Sequence, residues 1–122
     1  MSKVYFIKNS VSDDDQLGKD GLKLLKRIVS ETGYRFEKEV PIKVHFGEKG
    51  NKTFIPAKCY DGIINYLKEK GVSPSYIETN VLYRGSRTTT EDHIETAKSH
   101  GFTQIPIIIA DGEIGLEYKG EV

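Results

Sequence analysis

The run Glu39-Val40-Pro41-Ile42-Lys43-Val44-His45-Phe46, with Gly47-Glu48-Lys49-Gly50-Asn51 behind it, decides how this chain is to be read. Val40, Ile42, Val44 and Phe46 alternate with Lys43 and His45, which is the period of a strand with two unlike faces. Downstream, Pro56 and Gly71 bracket a helix with Cys59, Ile63, Tyr66 and Leu67 on its inward face. Pro74 to Thr79 reads as the next strand. Thr88 or Thr89 then caps a helix, with Glu91 or Asp92 placed for a capping box, and the helix runs to His100 and stops at Gly101. Ile105 to Ala110 is almost wholly aliphatic, as in a strand covered on both faces.

Upstream, Val4, Tyr5, Phe6 and Ile7 make Lys3 to Lys8 a short buried strand. Ser12 with Asp13, Asp14 and Asp15 marks a helix N-terminus, because acids there oppose the positive end of the helix dipole. Leu22, Leu25, Ile28 and Val29 follow at helical spacing up to Gly33. Gly18 and Gly21 weaken the front of that helix by up to ~1 kcal/mol each, which places its first ordered turn near Lys19 or Asp20. Strands alternating with helices predict an α/β, Rossmann-like three-layer domain with a mainly parallel sheet of about four strands, one domain over residues 1–122.

Composition excludes more than it identifies. Lysine plus arginine number 18 and aspartate plus glutamate 18, so no broad attraction to nucleic acid or to an acidic membrane is expected. No apolar run approaches the ~20 residues of a membrane span. The N-terminus lacks a signal-peptide core, which points to the cytoplasm. Cys59 is the one cysteine, so the chain forms no internal disulfide and holds no iron–sulfur cluster by itself.

In an open parallel sheet, ligands bind outside the carboxyl ends of the strands, where loops and helix N-termini converge. The unusual residues of this chain fall there: Gly47 to Asn51 after one strand, Asn80 to Arg87 after the next, Asp111-Gly112 after the last. The opposite edge carries plain turns at Gly33, Gly71 and Gly101. Gly47, Gly50 and Asn51 form either a backbone nest for an anion or a simple turn. The loop is neither a Walker loop nor a dinucleotide fingerprint, and no cofactor is named by any motif. Arg84 and Arg87, with Tyr83, Ser86 and Asn80, are either a fork for phosphate or carboxylate or structural partners of Glu48, Asp92 or Asp111.

His45 shares its face with Lys43 and lies close to Glu48, so His45 and Glu48 are the acid/base candidates, with a hydrogen-bonded structural histidine as the alternative. A metal on His45, Glu48 and Asp111 is conceivable, although no ligand spacing supports it. His93 and His100 stand about 10.5 Å apart along one helix and cannot share a metal unaided.

The stretches Ile42–Asn51, Thr79–Arg87, Asp92-His93, His100-Gly101-Phe102 and Ile109–Gly112 resemble the family called domain of unknown function 362. That family is associated with iron–sulfur proteins, and its members commonly continue with further strands, a histidine- and glycine-rich segment and a cysteine-rich ferredoxin-like tail. The resemblance therefore implies the front half of a larger domain. Two functional classes follow. One is a site for a small anionic ligand or metal, as part of an enzyme; the other is a non-catalytic docking module with a redox protein partner. A chain with fewer strands than its family also leaves an edge open to self-association.

Overall fold

The computed structural model describes residues 1–9 and 13–113. In chain order these build helix α1 (Asp14–Thr32), strand β1 (Glu39–Lys43), a 3-10 turn (Ala57–Tyr60), helix α2 (Asp61–Glu69), strand β2 (Ser73–Glu78), helix α3 (Thr90–Ser99) and strand β3 (Ile107–Ile109). The sheet order is β1-β2-β3 and both pairings are parallel, with Ile42 beside Tyr76 and Tyr76 beside Ile107. The α/β class and the parallel sheet stand as read, with three strands in place of four.

The strand expected at Lys3 to Lys8 is absent: residues 1–9 join no ladder, and Val4 is 89% and Phe6 75% exposed. A β-prone run becomes a strand only when an edge receives its backbone groups. The expected covering of both sheet faces is also corrected. Ile42, Tyr76 and Ile107 share a face, and the core packed on it draws Ile64 from α2 and Ala97 from α3. Both helices therefore lie on that side, while α1 packs on the 3-10 turn and α2. On the other face Lys43 is exposed, Ile77 half-buried and Ile108 44% exposed.

Local chemistry sets the boundaries. The α1 helix starts at Asp14, earlier than its glycines suggest, because the Asp13 carboxylate accepts the Asp15 N–H at 2.9 Å and Asp14 and Asp15 occupy the first turn. Ser12 lies outside the described residues. Gly18 has a packing reason, since a β-carbon there would stand 3.0 Å from the Cys59 carbonyl oxygen. The helix ends at Gly33 in the left-handed conformation, φ 66°. The 3-10 turn shifts the phase of the next helix, so Ile64 and Leu67 are its buried residues, and Ile63 and Tyr66 are only half-buried. Thr89 caps α3, its hydroxyl accepting the Asp92 N–H at 3.2 Å. Only three residues form β3, which begins after Pro106, a residue that lends its carbonyl to Tyr76 N–H at 2.8 Å and has no N–H to give.

The core is aromatic at its centre. Phe46, Tyr76 and Phe102 are fully buried and meet edge-on, with ring centroids 4.9–5.9 Å apart. Each such burial contributes roughly 1.5–3 kcal/mol. Because Phe46 directly precedes the loop at Gly47, the same packing that builds the core also anchors the carboxyl edge.

Candidate functional site

Asn80 ties the ends of β2 and β3 together. Its N–H donates to the Asp111 carboxylate at 2.9 and 3.1 Å, and its side-chain amide donates to Thr90 Oγ1 at 3.0 Å and to the Gly112 carbonyl at 3.1 Å. Its Oδ1 faces His93 Nδ1 at 3.1 Å. Since the amide nitrogen is used by two acceptors, Oδ1 is the acceptor left for His93, which places the imidazole proton on Nδ1. His93 is fully buried and its Nε2 has no partner among the described residues. Sequence reasoning placed Asn80 and Asp111 in this group but not His93 and Thr90; the Thr88-Thr89-Thr90 run opposite an asparagine at a strand end was the available signal.

Burial, with Arg87 nearby, pushes the His93 pKa down to about 4. The unfolded imidazole takes its proton near 6.5 and the folded one near 4, so stability is intact above 6.5 and falls as pH drops toward 4. Acidification across that window is expected to remove about 3 kcal/mol. Urea unfolding at pH 7.5 and pH 4.5 measures the loss, and His93→Leu should flatten the difference; an equal slope in the variant would assign it elsewhere.

The second cluster joins the β1 loop to the β2 loop. Glu48 accepts the Ser86 N–H and the Ser86 hydroxyl, and Arg87 Nε at 3.2 Å. Arg87 is 3% exposed, and its far nitrogen donates to the Tyr83 hydroxyl. Lys49 N–H donates to Ser86 Oγ at 3.1 Å. Gly85 permits this close approach, because a β-carbon there would stand 2.8 Å from a Glu48 carboxylate oxygen and the carboxylate would have to shift. Desolvation pushes the Glu48 carboxyl up, yet the bonds from Ser86, Arg87 and the Lys49 N–H outweigh it and hold the pKa at about 2.

Arg87 is thus occupied by Glu48, whereas Arg84 is exposed and pairs with no acid among the described residues. Glu48 is likewise committed to Ser86 and Arg87 and is not a free base. Three of the loop's N–H groups are used within the protein: Gly47 to His45 Nδ1 at 3.1 Å, Lys49 to Ser86 Oγ at 3.1 Å and Asn51 to the Glu48 carbonyl at 2.8 Å. Asn51 Oδ1 accepts Thr53 N–H at 2.8 Å, and Gly50 takes φ 82°. These are bonds of a turn, with Gly47 at φ 80° beneath the Phe54 ring.

His45 is exposed, and because its Nδ1 accepts a backbone N–H, the neutral ring carries its proton on Nε2. Lys43 Nζ bridges to Glu78 at 2.7 Å. His45 follows β1 and Asp111 follows β3, so β2 lies between them and the two edges are two strand spacings, about 10 Å, apart. Among the described residues no three His, Cys, Asp or Glu side chains gather as a metal site. An iron–sulfur cluster does not fit this chain's own residues: the single thiol, Cys59, is buried, donates to the Asp14 carbonyl at 3.3 Å, and is pushed up in pKa by burial.

Fold and edge together define a parallel α/β domain whose carboxyl edge is braced by two polar clusters. Residues 40–111 match the model of the family described as Domain of unknown function (DUF362), more than half of the chain, and the protein belongs to that family. No curated protein and no solved structure matches it. Among the described residues no helix is long and apolar enough to cross a membrane.

Proposed function

We propose that the domain binds a small anionic ligand, a phosphate or carboxylate, at the carboxyl edge of its sheet, in a cytoplasmic setting and as part of an enzyme. The observation that carries this reading is the unequal fate of the cations around the Glu48–Ser86 joint. Glu48 neutralises Arg87, while Arg84 and Lys49, the residues flanking that joint, have no acidic partner among the described residues. Two uncompensated cations on a braced edge attract an anion, and the planar guanidinium of Arg84 offers it a bidentate fork. In the neutral tautomer His45 adds an Nε2–H, a donor suited to orienting a ligand oxygen.

Titration calorimetry with inorganic phosphate tests this directly. Wild type should bind saturably, Arg84→Ala about tenfold or more weaker, and Arg84→Lys in between, all with unchanged unfolding midpoints. Absence of saturable binding, or an Arg84→Ala isotherm like wild type, would sink the reading.

One observation favours the alternative, a docking module in an iron–sulfur protein assembly with the cluster on the partner. Leu82 is 89% exposed beside the half-exposed Tyr83, an apolar tip next to the exposed Arg84, which suits a protein contact. Loss of a redox partner on Leu82→Asp, with phosphate binding intact, would favour docking over ligand binding.

A further inference from the structure

The geometry points to Lys3–Lys8 as a detachable fourth strand that joins the sheet in parallel along the free edge of β1. Among the described residues the sheet ends at β1, whose ladder bonds are made by Val40, Ile42 and Val44; Glu39, Pro41 and Lys43 therefore turn their backbone groups outward. The N-terminal segment already runs beside α1 in the sense a βαβ unit requires. Asn9 Nδ2 donates to the Asp20 carboxylate at 3.2 Å and the Tyr5 ring lies 5.8 Å from the Arg27 guanidinium, so the segment is antiparallel to the helix. Four extended residues span about 13 Å and seven helical ones about 10.5 Å, which fits that pairing.

Four further features agree. The α1 helix has no fully buried residue. Its Gly18–Leu25 side meets the 3-10 turn and α2, while Leu17, Leu24 and Ile28 project roughly a quarter-turn away, toward the flank of Asp20 and Arg27 where the segment lies. The connections, residues 9–13 and 33–38, are of the length usual between strand and helix, about 2–6 residues. A right-handed crossover from a strand outside β1 also places α1 on the same side of the sheet as α2 and α3.

Pro41 explains why the strand detaches. It presents no N–H to the free edge, so an incoming strand finds donors at Glu39 and Lys43 with a gap between them. Docked, the segment brings its carboxyl end to the edge that carries His45, and Val4 and Phe6 come to lie on the open face beside Pro41 and Lys43.

Hydrogen exchange on the full chain tests the inference. In Pro41→Val, which restores the missing donor, the Val4–Ile7 amides should exchange at least tenfold more slowly than in wild type at every protein concentration, and Tyr5→Pro should abolish the protection. Unchanged exchange in Pro41→Val would overturn the proposal. So would protection that grows with concentration, since that means exchange of the segment between two copies. If Pro41→Val does not fold, Phe6→Cys paired with Pro41→Cys or Lys43→Cys serves instead: an oxidised monomer cross-link supports the docked strand, and no cross-link, or one only between chains, overturns it.

Discussion

Glu48→Ala should lower the unfolding free energy by about 3–5 kcal/mol, because it strands the buried Arg87 guanidinium without its counter-charge. Among the described residues Arg87 has one carboxylate partner, at 3.2 Å, and its other side-chain bond goes to the Tyr83 hydroxyl. The same change frees the Ser86 N–H and hydroxyl that hold the β2 loop against the β1 loop. Adding Arg87→Met should recover a substantial part of the loss, the signature of a coupled pair in a double-mutant cycle. Glu48→Gln, which keeps an oxygen for Ser86 but not the charge, should fall between. Chemical unfolding of the four proteins decides the matter; a Glu48→Ala loss below about 1 kcal/mol would mean that water reaches Arg87 and that the joint behaves as a surface pair.

That pair also marks the limit of what the sequence could resolve. Arg84 and Arg87 are chemically identical and three positions apart, so composition and spacing give no reason to separate them. The separation comes from tertiary geometry: Gly85 lets the β2 loop lie against the Glu48 carboxylate, and from there Arg87 reaches inward while Arg84 remains at the surface. The gathering of Asn80 and Asp111 was legible, since parallel strands bring their carboxyl ends to one edge and both residues follow strands. So was the start of α3, because a threonine followed three residues later by an acid specifies its own local bonds.

Elements that depend on distant partners were less legible. The Val40–Phe46 alternation is a property of the strand itself and reads correctly, with Val44 and Phe46 buried and His45 exposed. The Val4–Ile7 run carries an equal propensity, but a strand also needs a neighbour, and the edge available to it contains Pro41. The inward face of α2 was shifted by a 3-10 turn whose tighter winding no hydrophobic period records. Gly18 looked like a weakness in α1 and is a contact point, because helix propensity takes no account of the Cys59 carbonyl that approaches it.

Gly47→Ala should destabilise the domain by about 2–5 kcal/mol, combining a left-handed backbone, ~1–2 kcal/mol for a residue with a β-carbon, with overpacking of ~1–3 kcal/mol. At φ 80°, a β-carbon would stand 2.3 Å from Phe54 Cδ1 and 2.8 Å from its Cε1, so the ring must move. Phe54 does not move alone. It stacks on His100 with centroids 4.6 Å apart, and His100 Nδ1 donates to the Phe46 carbonyl at 2.8 Å, directly before Gly47. Displacing the ring therefore loosens the cap of α3 and the exit of β1 together. Gly50→Ala is the internal control, since Gly50 has a similar φ of 82° and nothing within 4 Å of the added carbon, so that variant should lose only the backbone component, ~1–2 kcal/mol. The difference between the two measures the steric contribution of Phe54, and Phe54→Leu in the Gly47→Ala background should recover part of it. Equal losses for Gly47→Ala and Gly50→Ala in urea unfolding would show that Phe54 swings aside without cost and that the aromatic stack does not brace this edge.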